Sequence, residues 1–304
     1  MSDKFEFIDV EYATATRNND KTSVPTIGTM CVLLEVSRSG YYDWLSRPAS
    51  ATAQRREELK LYIAKSFTDS NQTYGYRRVH ADLVEWGVPA GPELVRALMG
   101  ELGLQACQPR PWRHSLTDSG GEHATIPDLV RRDFTATAPG TKLVGDITYI
   151  PTWQGWLFLA TVIDCHTKQV IGWAMGDDYK TPLISAAIDM AARNHTLVSK
   201  AIFHSDRGSN YTSSEFAKKL ATHDMRQSVG RTGICYDNAM AESFFAALKN
   251  ELVHRTQYPT RNHARQAIAQ YIELWYNRKR RHSGLNYRTP LQVHNDYLNT
   301  QEAA

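Results

Sequence analysis

The sequence predicts an α/β layered domain over residues 139–253, preceded by an all-α region over residues 1–107. Two observations predict this division. Apolar residues of the first region recur at helical spacing, whereas the second region begins with three strand-like runs and then alternates helices with strands. The resulting order βββ-α-β-α-β-α predicts a mixed five-stranded sheet with flanking helices.

The composition is ordinary for a globular protein of about two domains. Of 304 residues, 42% are hydrophobic and 22% are charged, which excludes wholesale disorder. The longest apolar run, residues 156–163, is far shorter than a membrane span, and no secretory signal opens the chain. Four scattered cysteines without a Cys-x-x-Cys pair argue against a disulfide framework or a structural zinc. We therefore expect a cytoplasmic protein with no membrane partner.

The first 50 residues contain a candidate helix-turn-helix. Residues 1–24 are polar and show only weak periodicity. Helices are predicted over residues 27–34 and 38–45, the second with Ser37 as its N-cap and Pro48 beyond its end. So tight a connection indicates a helix-turn-helix, although a simple helical hairpin fits the pattern equally well. Arg38, which opens the second helix, is a candidate contact for nucleic acid.

A second helical block spans residues 51–107. Its apolar periodicity predicts helices around residues 59–67, 76–86 and 95–102, the last closed by Gly103. The spacing again resembles a helix-turn-helix. The third helix exposes Glu93 and Glu101, which do not favour phosphate, so Arg77 and Arg78 at the start of the second helix are the better candidate backbone contacts.

The elements of the α/β domain follow a polar linker over residues 108–138, in which one short helix is expected near residues 126–132. The predicted strands cover residues 142–150, 156–164, 169–174, 201–205 and 227–229, and the predicted helices cover residues 182–194, 213–222 and 238–252. A basic, helical C-terminal region is predicted over residues 254–304.

Three acidic residues occupy positions where this architecture brings them together. Asp146 lies inside the first apolar strand, where a charge is costly unless it is paired or bound to a metal. Asp206 directly follows the fourth strand, at the carboxyl end where α/β sheets often bind ligands. Glu242 begins the long helix, with 35 residues between it and Asp206. Taken singly, each acid also has an ordinary structural interpretation.

Carboxylates of this kind suit a hard divalent cation. Asp and Glu oxygens hold Mg²⁺ or Mn²⁺, and two such ions can drive an in-line displacement at phosphorus. Lys249 follows Glu242 by seven residues on the same helix face, where its ammonium could hold a phosphate. His204 and Trp153 lie near the acids in sequence and are interpreted as structural.

The C-terminal region carries most of the excess positive charge. Residues 251–304 contain eight basic and four acidic residues. Four of the basic residues are consecutive: Arg278, Lys279, Arg280 and Arg281. Because Tyr276 adjoins them, the cluster is typical of phosphate contact with base stacking. The alternative is a solvated helix end whose cations favour the helix dipole.

Several motifs together resemble one known family. The segments around the acids are Asp146-Ile147-Thr148-Tyr149, His204-Ser205-Asp206-Arg207-Gly208, and Asp237-Asn238-Ala239 with Glu242-Ser243-Phe244. They resemble the D-D-(35)-E signature of transposases with a retroviral-integrase-like core. More narrowly, the chain resembles the second-frame (OrfB) half of transposases from insertion-sequence family three.

The resemblance extends over residues 27–297. The N-terminal segments that resemble the family are Val36-Ser37-Arg38-Ser39-Gly40-Tyr41-Tyr42 and Tyr74-Gly75-Tyr76-Arg77-Arg78-Val79-His80. The C-terminal ones are Trp275-Tyr276-Asn277, Arg281-His282-Ser283 and Thr289-Pro290. Independent motifs in the family's order make the match highly specific.

The resemblance implies a ribonuclease-H-like catalytic core in which Asp146, Asp206 and Glu242 hold two Mg²⁺ or Mn²⁺ ions. It implies a DDE-type transposase that cuts double-stranded DNA at the transposon ends and joins the 3′-hydroxyl to target DNA. Lys249 matches a basic position near the terminal phosphate.

The resemblance also implies partners, and two other functions remain open. We expect a homo-oligomer on DNA in the bacterial nucleoid. No heptad pattern precedes Ile27, so we expect the chain to work with the upstream-frame (OrfA) product as a frameshift fusion. The alternatives are a ribonuclease-H-like nuclease and a catalytically silent DNA-binding regulator. The intact acids argue against the regulator, and the helical N-terminal region and basic tail argue against a simple nuclease.

Overall fold

The computed structural model describes residues 2–17, 25–107, 126–230 and 238–303. They divide into two units, Met1–Tyr62 and Ile63–Ala304. Most of the predicted linker, residues 108–125, lies outside the described residues. None of the helices in the described ranges is long and apolar enough to span a membrane.

Three helices of the N-terminal unit share one small core. They are α1 (Ser2–Arg17), α2 (Ile27–Leu33) and α3 (Arg38–Ser46). The Ser37 hydroxyl accepts a hydrogen bond from the Gly40 amide at 3.3 Å, which confirms the predicted N-cap. Helix α1 is the element that weak periodicity did not indicate. Its inward face consists of Phe5 and Ile8, too short an apolar pattern to stand out in the sequence.

Helix α4 (Ala51–Asp69) runs from the first unit into the second. Two helices of the second unit follow it, α5 (Tyr76–Glu85) and α6 (Pro92–Glu101), as the sequence predicted. Gly103 closes α6 with a φ of 64°, the left-handed conformation expected of a C-terminal glycine. On α6, Glu93 pairs with Arg96 at 2.9 Å on the exposed surface, so this helix offers no excess positive charge there.

The second unit is built on a mixed sheet of five strands with the order β3-β2-β1-β4-β5. The strands are β1 (Lys142–Thr152), β2 (Gly155–Asp164), β3 (Val170–Gly176), β4 (Ile202–Ser205) and β5 (Arg226–Val229). β1, β2 and β3 form an antiparallel meander, whereas β1, β4 and β5 pair in parallel. The predicted mixed sheet is confirmed.

Helices cover both faces of the sheet. α7 (Thr181–Asn194) and α8 (Ser214–Thr222) share a core with Leu143 and Phe203 of the strands. α9 (Ala239–Glu251) and α10 (Arg261–Gln270) share a core with Val144 and Ile150 on the opposite face. The faces alternate along β1 because successive strand residues point to opposite sides.

The C-terminal region folds back onto the sheet. A π-helical segment (Tyr271–Tyr276) continues α10, and α11 (Pro290–Glu302) ends the described chain. The buried Asn277 side chain accepts a hydrogen bond from the Val170 amide and donates one to the Val170 carbonyl, both at 2.9 Å. This region therefore covers part of the open edge of β3.

The prediction of a short helix near residues 126–132 is wrong. No helix occurs at these positions, and Arg131 and Arg132 have φ angles of 49° and 65°. The Asp128 carboxylate accepts hydrogen bonds from the amides of Val130 and Arg131, at 3.0 and 2.8 Å. Such local bonds from an Asp side chain favour a turn over a helix.

Candidate active site

The pairing of β1 with β4 brings the first two acids together. Leu143 pairs with Phe203 and Val144 with His204, a constant offset along two parallel strands. Continuing this register by two residues places Asp146 opposite Asp206, which directly follows β4. Neighbouring strands lie about 4.8 Å apart, so residues in register on the same face are close neighbours.

A glycine permits the close approach of these strands at the site. A Cβ atom on Gly145 would lie 2.2 Å from Cζ of Phe203. Any other residue would displace Phe203, which is fully buried, and would disturb the register next to Asp146.

Helix α9 brings the third acid. Asn238, its N-cap residue, is buried and donates a hydrogen bond from Nδ2 to the Gly145 carbonyl at 3.2 Å. This bond ties the start of the helix to the strand residue before Asp146. Glu242 lies in the first turn of α9, where its charge acts on Asp146 and the charge of Asp206 acts on it. Residues 231–237, including Asp237 of the third motif, lie outside the described residues.

Loss of solvent raises the pKa values of the three acids, and neighbouring charge adds to the rise at Asp146 and Glu242. Loss of solvent, then the charges of Asp206 and Glu242, raise the pKa of Asp146 to about 8. Loss of solvent also raises the pKa of Asp206 and that of Glu242, and the charge of Asp206 adds to the rise at Glu242. Opposing this, the Asp146 carboxylate accepts a hydrogen bond from the Ile147 amide at 2.7 Å. Asp206 and Glu242 are exposed and Asp146 is partly exposed, so a ligand can reach all three.

Lys249 brings positive charge to these acids. Lys249 is the basic side chain whose charge acts on Asp146, lowering its pKa, and Lys249 is itself partly buried. Loss of solvent lowers the pKa of Lys249 in turn. Lys249 and Glu242, seven residues apart on α9, thus both act on the charge of Asp146.

A divalent cation fits this donor set. The donors are carboxylate oxygens, and their raised pKa values mean that a bound cation would relieve their mutual repulsion. Within the described ranges, no three Asp, Glu, His or Cys side chains lie close enough to hold an ion as they stand. Binding would therefore require the carboxylates to close around the cation, which their exposure permits.

Two side chains near the acids are structural. His204 is buried, and its Nδ1 shares a hydrogen bond with the Ser228 hydroxyl at 2.8 Å, which links β4 to β5. Tyr211 is also buried, and its burial, followed by the charges of Asp146 and Asp206, raises its pKa. Sequence reasoning interpreted His204 in this way but did not identify Tyr211.

The far end of α9 carries a second acid, Glu251, in opposite surroundings. Its carboxylate accepts hydrogen bonds from Arg280 at 2.7 to 2.9 Å, and Arg78 lies 3.6 Å away. Burial alone would raise the pKa of Glu251. The charge and hydrogen bonds of Arg280, with Arg78 and the Tyr271 hydroxyl, outweigh burial and lower it. We call Glu251, Arg280, Arg78 and Tyr271 the α9 clamp.

The predicted basic cluster at residues 278–281 divides into two pairs. Arg280 and Arg281 are each 7% exposed, Arg280 within the α9 clamp and Arg281 in ion pairs with Asp82 and Glu85. This burial contradicts the expectation that they contact DNA, because their charges are already neutralised within the protein. Tyr276 is also buried, so it is not a stacking surface. Arg278 and Lys279 are exposed and stay candidates.

The arginines of the N-terminal helices that were predicted to contact DNA differ in their exposure. Arg77 is exposed, whereas Arg78 belongs to the α9 clamp and lies over the Tyr74 ring at 5.5 Å. The Tyr74 hydroxyl accepts a hydrogen bond from the Arg281 amide at 2.7 Å and donates one to the Lys279 carbonyl at 3.2 Å. The Tyr74–His80 motif thus holds the C-terminal region in place. Arg38 is exposed on α3 of the N-terminal unit.

Sequence families match the regions that build this site. Two families, each described as an integrase core domain, match residues 136–235 and 223–290, and an HTH-like domain family matches residues 54–112. The integrase-core matches cover all three acids and Lys249. The class of protein is therefore that of polynucleotidyl transferases with an integrase catalytic core.

Curated relatives narrow the class to a family. The transposase InsF for insertion sequence IS3A of Escherichia coli (strain K12) is 37% identical over 275 residues, which is 90% of this chain and 95% of that protein. An uncharacterized 31 kDa protein of insertion element IS600 of Shigella sonnei is 37% identical over 88% of this chain and 98% of that protein. The chain belongs to the IS3-family transposases, which confirms the resemblance seen in its motifs.

Solved structures of integrases are more distant. The match to the HTLV-2 integrase catalytic core domain in complex with magnesium covers 52% of this chain and 98% of the integrase chain, at 17% identity and a TM-score of 0.40. A likeness this remote adds nothing to the assignment.

Proposed function

We propose that this transposase cuts double-stranded DNA at insertion-sequence ends and joins the freed 3′-hydroxyl to target DNA. The observation that carries the proposal is electrostatic: Asp206 and Glu242 both act on the charge of Asp146, and all three carboxylates are at least partly exposed. Lys249 also acts on Asp146. The buried structural acid Glu251 is instead compensated by Arg280 and Arg78. Uncompensated acids at a strand end favour a functional site over a structural one.

Asp146, Asp206 and Glu242 are the residues that would hold Mg²⁺ or Mn²⁺, with two ions in the site. When bound, such ions activate an attacking oxygen and stabilise the leaving oxygen at phosphorus. The three side chains must be ionised for this role, and the raised pKa of Asp146 means that cation binding displaces a proton near neutral pH.

Lys249 is proposed to hold a DNA phosphate next to the acids. Its ammonium is close enough to Asp146 for the two charges to act on each other. A lysine engages a phosphate as a compact point charge without a fixed geometry.

Binding of the DNA backbone away from the acids is assigned to exposed cations, namely Arg278, Lys279 and Arg77 in the second unit and Arg38 in the first. Such contacts fix the register of the protein on DNA without reading its sequence. We further propose that the protein acts as a homo-oligomer on DNA in the bacterial cytoplasm, with the OrfA product fused or bound to it.

A strand-transfer assay tests the proposal and its alternatives together. The full chain, with and without the OrfA product, is incubated with Mg²⁺, labelled DNA carrying the element ends, and a target plasmid. We expect joined products that disappear in Asp146→Asn. Cleavage without joining would favour the nuclease, and DNA binding without either reaction in both forms would favour the regulator.

A further inference from the structure

Two exposed aromatic side chains lie beside the candidate active site. Tyr149 follows Asp146 by three residues on β1 and is 55% exposed. Trp156, at the start of β2, is 51% exposed. A scattered exposed aromatic residue is ordinary, but two that form a common surface indicate a binding site.

The two rings form such a surface. Tyr149 pairs with Phe158 and Pro151 with Trp156, so Tyr149 and Trp156 point to the same face of the hairpin. Their ring centroids are 4.9 Å apart at an interplanar angle of 76°, an edge-to-face contact. About half of each side chain stays open to solvent.

Lys249 links this aromatic pair to the acids. Its ammonium lies 5.1 Å from the centroid of the Tyr149 ring, within the range of a cation–π interaction. The same ammonium acts on the Asp146 charge. Lys249 therefore lies against the aromatic pair and also acts on the charge of Asp146.

We propose that Tyr149 and Trp156 form a stacking platform for an unpaired nucleobase of the DNA strand whose phosphate lies at the acids. The inference rests on the proposed function. Aromatic side chains interleaved with a basic group bind single-stranded nucleic acid because every base offers a π-face. Bases within a duplex are covered by their neighbours, so the surface selects DNA whose terminal bases are unpaired.

The platform assigns a positioning role to both residues. Stacking the base next to the cut would fix the strand, while Lys249 holds the adjoining phosphate. Sequence reasoning did not single out Tyr149 or Trp156, since an aromatic residue in a strand is more often part of a core.

Binding of oligothymidine and of a blunt duplex by the full chain in EDTA tests the proposal, because no reaction then obscures the binding. We expect Trp156→Ala and Tyr149→Leu to weaken oligothymidine binding about tenfold and to leave blunt-duplex binding unchanged. Trp156→Ala should also lose part of the tryptophan quenching that oligothymidine causes in the wild type.

The chain offers matched controls. Trp153, in the turn of the same hairpin, is 72% exposed, and Trp153→Ala should bind oligothymidine as the wild type does. Tyr149→Phe keeps the ring and should retain binding. Thermal unfolding checks that each variant is folded, and Trp156→Gln replaces Trp156→Ala if that variant is not.

Two results would overturn the platform: equal weakening on both DNA forms, or no weakening on oligothymidine. A change in oligomeric state in the Trp156 variant, measured by light scattering, would assign the surface to a second copy of the chain instead. Strand transfer is measured separately. If the protein binds oligothymidine through these residues but shows no strand transfer, the proposed function is refuted and the stacking site is retained.

Discussion

Helix α9 carries a carboxylate near each end, and the two have opposite electrostatic surroundings. Glu242 faces Asp146 and Asp206, and its pKa is raised. Glu251 is buried against Arg280 and Arg78, and its pKa is lowered. Because the chemical group and the helix are the same, the difference lies in which charges the fold brings to each end. Compensated charge stabilises the protein, whereas uncompensated charge is available to a ligand.

The largest effect should follow from removing an acid at the first end. Asp206→Asn should reduce strand transfer roughly a thousandfold or more, because metal ions supply several kcal/mol of transition-state stabilisation. DNA binding in EDTA should stay close to wild type, since the acids do not hold the duplex. Strand transfer within tenfold of the wild type would remove Asp206 from the site.

The next effect concerns the α9 clamp and appears in stability. Arg280→Ala should lower the free energy of unfolding by about 3–5 kcal/mol, because it leaves Glu251 buried and unpaired. Urea denaturation measures the change. The exposed neighbour provides the control, as Arg278→Ala should change stability by about 0.5 kcal/mol or less. Equal losses for the two variants would mean that the clamp does not hold the fold.

Stability in EDTA should respond to pH in opposite directions at the two ends. The pKa of Asp146 is raised to about 8 in the folded protein, whereas that of an unfolded Asp is near 4. The contribution of Asp146 to the free energy of unfolding is therefore complete below about pH 4 and is lost as pH rises through about 8. The lowered pKa of Glu251 means that its contribution is present above about pH 4 and is lost in acid.

Thermal unfolding across this pH range distinguishes the two contributions. Asp146→Asn should remove part of the fall between about pH 4 and pH 8, and Mg²⁺ should oppose the same fall in the wild type. Glu251→Gln should flatten the acid limb. A melting temperature of Asp146→Asn that tracks the wild type at every pH would contradict the shift at Asp146.

Substitutions of Lys249 test the cation that acts on Asp146 at the first end of α9. Lys249→Ala should lower strand transfer about tenfold, the cost of one charge-assisted phosphate contact, while Mg²⁺ binding survives. Lys249→Arg should retain more activity because it keeps the charge. Equal rates for Lys249→Ala and the wild type would return Lys249 to the role of a helix surface residue.

The smallest effect concerns the exposed half of the basic cluster. Replacing Arg278 and Lys279 by alanine should make the slope of log K against log salt shallower by up to about 1.8, since each lost duplex contact contributes about 0.9. Lys218→Ala, at an exposed position of α8, should leave the slope unchanged. An unchanged slope in the double variant would assign both residues to a solvated helix end.

Sequence reasoning could find the acids because local patterns place them. A charge inside an apolar strand, an acid directly after a strand, and an acid opening a long helix are each visible without a structure. The parallel pairing of β1 with β4 then brings the first two together. The mixed sheet was predictable for the same reason, since three short-looped strands precede two that need crossovers.

Which residues of the basic cluster are buried could not be predicted in this way. Arg280 pairs with Glu251, 29 residues earlier, and Arg281 pairs with Asp82, 199 residues earlier. In the sequence, buried and exposed members of the cluster look alike, because burial of a cation depends on distant partners. The local sequence shows that a residue is charged, but only the tertiary fold determines whether an ion pair inside the protein neutralises that charge.

The bond between Asn277 and Val170 has a consequence for how the catalytic core can be isolated. β3 is an edge strand of the sheet, and Asn277 occupies the amide and carbonyl of Val170, two of the backbone groups through which another strand could add. A fragment ending at residue 253, where the sequence placed the end of the core, would uncover that edge. Exposed edges recruit strands from other molecules. We therefore expect a catalytic fragment that extends beyond Asn277 to aggregate less than one that ends at residue 253.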